Sequence, residues 1–172
     1  MARVPYIEVK DHPELNELVA KVGSQRGGEI THLYKLLFYS PPLADGWLHI
    51  ITAVRQQSKI SVADQELVIM LIAVINKALF EYKSHAPKAL ALGFTQAQFD
   101  AIPNWQNSKE FDERQRVVLA YTDVMTRAVE VPDHTFQAVR AIFGERELIE
   151  ITALIAAYNM VTRFTVAMHL GS

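Results

Sequence analysis

The chain has no cysteine in its 172 residues. Disulfides, thiolate nucleophiles and thiolate metal sites are therefore excluded as its chemistry. It has no surplus of either charge: 17 basic against 19 acidic residues give a net charge of −2 at pH 7. Without a basic block, neither nucleic acid nor an anionic membrane is an expected partner. No apolar run approaches the length of a membrane span; the longest, "LVIMLIAVI" (67 to 75), is about half of what is needed. The opening "MARVPYIEVKDHPEL" has no apolar signal core, so the expected location is the cytoplasm. Glycine-rich phosphate loops are missing too, since "RGGE" reads only as a turn.

What is present is apolar residue at helical spacing. Half the residues are hydrophobic, enough for a real core, and the length suits one domain spanning 1–172. Pro13 stands early in a first helix with Leu15, Leu18, Val19 and Val22 on one face. "GSQRGG" (23 to 28) breaks the chain. Segments 30–40 and 43–57 read as the next helices, separated by Pro41 and Pro42. Ser61 and Asp64 resemble a capping box opening the apolar run. That helix is expected to continue until Pro87 kinks or interrupts it, with Gly93 as its stop. Thr95 and Gln98 cap a short helix, 95–102. A polar loop (103–111) precedes helices at 112–128, 132–143 and 145–168. No alternating strand pattern occurs. The expected class is all-α, with seven or eight helices. A faint repeat joins "DQELVIMLIAVIN" (64 to 76) to "ERELIEITALIAAYN" (145 to 159). It fits two similar helical halves, or two ordinary buried helices.

Few residues suit chemistry. Glu81 and His85 lie four apart, hence on one helix face, about 6 Å apart along the axis. A glutamate accepting from one imidazole nitrogen fixes the tautomer and leaves the other nitrogen to exchange a proton. The same spacing also makes an ordinary exposed ion pair. Glu66 would stand nearly 30 Å from His85 on a straight helix, at about 1.5 Å per residue. It joins the pair only if the chain folds back near residues 76–78, or if another subunit supplies it. The other histidines are scattered, and no HExxH or ExxH occurs, so no metal is expected. Ser40 and Ser84 lack the setting of a nucleophile. Arg55, Lys77 and Lys83 read as solvated charges, and Trp47 and His49 as core and rim. Arg163 lies among apolar neighbours in "YNMVTRFTVAM", which suggests partial burial beside an anion.

The stretch "SVADQELVIMLIAVINKALFEYKSHAPKALALGFTQAQFDAI" (61 to 102) resembles the carboxymuconolactone decarboxylase-like family within the alkylhydroperoxidase D-like superfamily. Its pattern is an "RELVIL"-type helix, a C/A-x-x-E/C-x-x-x-H segment, then "A…A.G.T..Q". "YKLLFYSPPLADGWLHI", "FDERQRVVLAYTDVMTR" and "FGERELIEITALIAAYNMVTRF" extend the likeness over roughly residues 30 to 170. The resemblance implies an all-α fold that assembles as trimers or hexamers. Carried over by position, the two cysteines of the peroxidase branch fall on Ala78 and Glu81, its relay histidine on His85 and its upstream glutamate on Glu66. With both cysteines absent, thiol peroxidase chemistry is excluded. The decarboxylase branch, with E-x-x-x-H at this place, matches Glu81 and His85. Gln65 stands where an arginine is common, and Ser84 where many relatives have a second histidine.

The resulting expectation is a cofactor-free lyase acting on a small carboxylate, such as a lactone or an unsaturated or keto acid. His85 would protonate carbon, Glu81 would orient it, Glu66 would be a second acid/base or pocket partner, and Arg163 would bind the substrate carboxylate. Isomerisation, elimination or lactone hydrolysis on the same scaffold, and a non-catalytic oligomer, are the alternatives.

Overall fold

The computed structural model describes residues 2–171. These are helical throughout, with no strand among them: α1 Asn16–Gln25, α2 His32–Leu37, α3 Pro41–Gln56, α4 Val62–Ile75, α5 Leu79–Ala91, α6 Gln96–Ala101, α7 Glu113–Arg127, α8 Asp133–Ile142 and α9 Glu145–Ala167. Short 3₁₀ turns occupy Val9–Asp11, Pro13–Leu15 and Ile102–Asn107. Part of the expected polar loop is thus wound into a helical turn, anchored by buried Ile102 and Trp105. Pro41 and Pro42 do more than end the preceding helix: they occupy the first turn of α3, where a missing N–H costs nothing.

α4 is the central helix. It is apolar around its whole circumference, and a helix without a polar face must be enclosed. It packs against α5, α7 and α9, and Leu67 to Ile72 are all buried. Ser61 Oγ accepts from Asp64 N at 3.1 Å. The reciprocal half of the capping box is missing, because the Asp64 carboxylate instead takes Arg114 Nη2 at 2.8 Å.

The expected single helix through residues 61–93 is split, and the split accounts for nine α-helices among the described residues rather than eight. It falls not at Pro87 but at Lys77, which adopts φ 55°. Ala78 N reaches back to Ala73 O at 2.8 Å, and Lys77 N to Val74 O at 3.2 Å. This is a Schellman stop with lysine where glycine is usual. Pro87 lies inside α5 without ending it. Pro87 and Lys83, whose carbonyl loses its donor, are both exposed, so water can satisfy that carbonyl. α5 therefore folds back along α4.

The repeat has a structural counterpart. α4 packs on α9, and the terminal asparagines of the two segments meet, Asn76 Nδ2 donating to Asn159 Oδ1 at 3.1 Å.

Two apolar clusters make the core. One gathers residues of α4, α7, α8 and α9. The other joins the N-terminal segment, α1, α2 and α3 to the C-terminal part of α9. Ile51 of α3 packs against both, and the candidate site lies along this seam.

Candidate active site

The reversal at Lys77 brings Glu66 and His85 together. His85 Nδ1 lies 2.7 Å from Glu66 Oε2, and both side chains are buried. The other carboxylate oxygen, Glu66 Oε1, accepts from Arg55 Nη2 of α3. On the far edge of the imidazole, His85 Nε2 is 3.6 Å from Glu81 Oε2. That is ion-pair range, longer than a hydrogen bond. Tyr158 of α9 meets the imidazole edge-on, with ring centroids 5.6 Å apart, and the Arg55 guanidinium lies 5.9 Å from the Tyr158 centroid.

The roles of the two glutamates are thus exchanged relative to the expectation from spacing. Glu66, not Glu81, orients the ring. Burial pushes the Glu66 carboxyl up, but the His85 hydrogen bond and charge, with Arg55, outweigh it and hold Glu66 below the usual carboxylate range. An ionised carboxylate can only accept, so Nδ1 carries the hydrogen and Nε2 keeps its lone pair. Burial lowers the His85 pKa; the Glu66 hydrogen bond and charge oppose this, and Lys88 and Arg55 add to the lowering. The imidazole is therefore neutral at pH 7. Burial also pushes Glu81 up to about 7, against the pull of Lys88 and Arg55. Tyr158 is raised well above its ordinary value, chiefly by burial, and stays neutral.

A cavity of about 450 Å³ opens beside this group. α5 lines it with Phe80, Glu81, Ser84, His85 and Lys88, and α3 with Trp47, Ile51 and Arg55. α2 adds Leu33 and Tyr34, and α9 adds Tyr158 and Val161. Glu66 does not line it and is fully buried. The cavity therefore presents a neutral imidazole with a free Nε2, a carboxyl that titrates near neutrality, and cations at Arg55 and Lys88. Such a group can move protons. Among the described residues, no three His, Asp and Glu side chains are disposed to hold a metal ion.

Arg163 does not join this site. Its side chain is exposed, Nη1 donates to Asn159 Oδ1 at 2.9 Å, and it is not among the cavity-lining residues. The expected partial burial beside an anion fails because its sequence neighbours point to other faces of α9. Gln65 is a buried structural tie, Nε2 donating to Ile60 O at 2.9 Å. The cation facing the cavity is Arg55, which the sequence reading had left as a solvated charge. The signal for it was available: Trp47, Ile51 and Arg55 follow at i, i+4, i+8, one continuous helix stripe.

The burial of Glu81 has a measurable consequence. Folded, it keeps its proton to about pH 7, whereas an unfolded chain releases it near 4.5. The folded state thus binds more protons between those values. Stability falls as pH rises through that window and is level above it, by about 3 kcal/mol in all. Glu81→Gln removes this term. Urea denaturation at pH 5 and pH 8 should show the variant gaining on the parent by that order at the higher pH. An unchanged difference would contradict the burial argument.

Comparison with known proteins agrees with this geometry. Residues 41–124 match the model of the Carboxymuconolactone decarboxylase family. YdfG of Bacillus subtilis (strain 168), an uncharacterized protein, is 22% identical over 115 residues, covering 66% of this chain and 78% of that one. Among solved structures, an alkylhydroperoxidase AhpD core from Ralstonia eutropha JMP134, an uncharacterized peroxidase-related protein, is 17% identical. It covers 98% of this chain and 90% of its own, with a TM-score of 0.80. The debrominase Bmp8, solved with 2,3,4-tribromopyrrole, is also 17% identical, covers 98% of this chain and 92% of its own, and has a TM-score of 0.79. At such identities the structural likeness establishes the fold. Fold, family match and the absence of cysteine together make this chain a cysteine-less member of the carboxymuconolactone decarboxylase-like family, with the alkylhydroperoxidase D-like helical fold.

Proposed function

We propose that this protein is a cofactor-free lyase of the carboxymuconolactone decarboxylase type, acting on a small lactone, unsaturated or keto acid by general acid/base catalysis. The observation that supports it most is the Arg55–Glu66–His85 chain ending at Glu81 on the cavity wall. In the proposed step the bond to the departing carboxylate breaks and CO₂ leaves. The electron pair enters a conjugated carbonyl of the substrate, and the enolate is then protonated on carbon. His85 is the weaker candidate for donor, because its lowered pKa leaves it neutral. Glu81, titrating at about 7, is the group that still holds a proton near neutrality. It gives that proton to carbon and is reprotonated from solvent. The His85 Nε2 lone pair polarises the Glu81 carboxyl, and Glu66 with Arg55 holds the imidazole in the tautomer that does so. Cations on the cavity wall stabilise the enolate charge.

The exposed apolar side chains Ile149 and Met160 of α9 support a further part of this reading: the protein self-associates, as a trimer or hexamer, in the cytoplasm. The lyase reading is tested by following CO₂ release from a panel of small unsaturated, keto and lactone acids. The expected result is protein-dependent release that declines above about pH 7, as Glu81 ionises. Turnover without CO₂ would replace it by isomerisation, elimination or hydrolysis, and no turnover of any acid would favour a non-catalytic oligomer.

A further inference from the structure

The cavity wall carries three polar atoms that are shielded from solvent and have no hydrogen-bond partner: Arg55 Nη1, Trp47 Nε1 and the Tyr34 hydroxyl. Trp47 is 6% exposed and Tyr34 3%. Each could have been satisfied within the chain. Arg55 uses Nη2 on Glu66 and leaves Nη1 unmatched. Arg26, beside the Tyr34 ring, directs its own donors to Leu48 O and Thr52 Oγ1 instead. Buried polar groups without partners are rare in native proteins and call for an explanation. Three on one cavity wall, clustered at a group able to move protons, are explained by a ligand that supplies what they lack.

Their chemistry constrains that ligand. Arginine and the indole N–H can only donate, and a tyrosine hydroxyl can donate. The complement is a set of acceptors. Their placement adds direction. Trp47 and Arg55 share one face of α3 and are eight residues apart, about 12 Å along the axis. Arg55 is at the His85 end, joined to it through Glu66. Trp47 is farther along, packed edge-on against Phe164 with centroids 5.3 Å apart. Between them the wall is apolar, with Ile51, Leu33 and Val161. Two hydrogen bonds of about 2.9 Å leave room between such anchors for a ligand about the length of a benzene ring with acceptors at both ends.

Deepening the lyase reading, on which it rests for the direction of chemistry, we infer that the cavity binds an apolar-bodied organic anion lengthwise. Its carboxylate lies on Arg55 beside His85 and Glu81, and a second hydrogen-bond acceptor lies at the Trp47–Tyr34 end. Arg55 is then both the anchor of the anion and the positioning residue for Glu66. Trp47 and Tyr34 determine specificity by leaving buried donors unmatched when a ligand lacks the distal acceptor.

Binding measures this without any turnover. Terephthalate has acceptors at both ends, and benzoate at one. By isothermal titration calorimetry, the protein should bind terephthalate about tenfold or more tightly than benzoate, a difference of about 1.4 kcal/mol. Trp47→Phe should remove that preference and leave benzoate affinity unchanged. Should Trp47→Phe lose its helical circular dichroism, Tyr34→Phe serves the same comparison. Equal affinity for the two acids, a preference that survives the variant, or no binding of either would overturn the inference. A protein that binds as described but releases CO₂ from no acid overturns the lyase reading and leaves this one standing. Release of CO₂ without the terephthalate preference overturns this one alone.

Discussion

The His85→Gln variant is expected to keep its fold and lose about 10²- to 10⁴-fold in turnover, the range over which a positioned proton-transfer group contributes. The argument rests on contacts to both edges of the ring. Nδ1 is held by Glu66 at 2.7 Å, so the Nε2 lone pair faces Glu81 in a defined direction. Glutamine keeps polarity and rough volume but cannot exchange protons. Because His85 is neutral in the fold, its removal strands no charge. A loss of activity without a matching loss of stability is therefore the pattern to look for, by steady-state kinetics beside thermal denaturation. Wild-type turnover in this variant would end the assignment of His85 to the reaction.

The second large effect is on stability. Arg55→Met leaves a fully buried carboxylate, Glu66, with His85 as its remaining printed partner. Stranding a buried charge in this way typically costs about 3–5 kcal/mol. The urea midpoint should fall accordingly, with the denaturant slope unchanged. The double variant Arg55→Met, Glu66→Gln should recover much of the loss, because the desolvated charge goes with its partner. That recovery separates an electrostatic cause from a packing one: lost contacts of the arginine stem would not return. A single-variant loss below about 1 kcal/mol, the scale of an exposed pair, would show that solvent reaches Glu66.

How much of this was legible in the sequence depends on the element. The α7 and α8 boundaries follow from Asp112–Gln115 capping and from Pro132, local signals that tertiary packing did not override. The all-α class follows from helical periodicity throughout. Glu81 and His85 were placed on one face by spacing alone, and the structure has them so. Glu66 was recoverable from the family pattern but not from local chemistry. The turn that returns it to His85 is made of Asn76, Lys77 and Ala78, with no glycine or proline, and Lys77 takes a left-handed conformation that its residue type does not advertise. Arg163 misled for the opposite reason. Apolar neighbours in sequence are not neighbours in space on a helix, and its own face of α9 is open to solvent. The unmatched donors of Trp47 and Tyr34 had no sequence signal, since lacking a partner is a property of three-dimensional packing.

The three-residue reversal after α4 also fixes a phase. Each residue of an α-helix turns the side chain by about 100°, and Glu66 and His85 meet because two antiparallel helices are held in one rotational setting by the Ala78–Ala73 and Lys77–Val74 hydrogen bonds. A single inserted or deleted residue between Asn76 and Leu79 would swing His85 off the line to Glu66 by more than a quarter turn. It would leave both helices, and most of the apolar core, able to form. The turn thus works as a gear lock. Descendants of this chain can vary the amino acids in it, but not their number, and still keep the two residues in mesh.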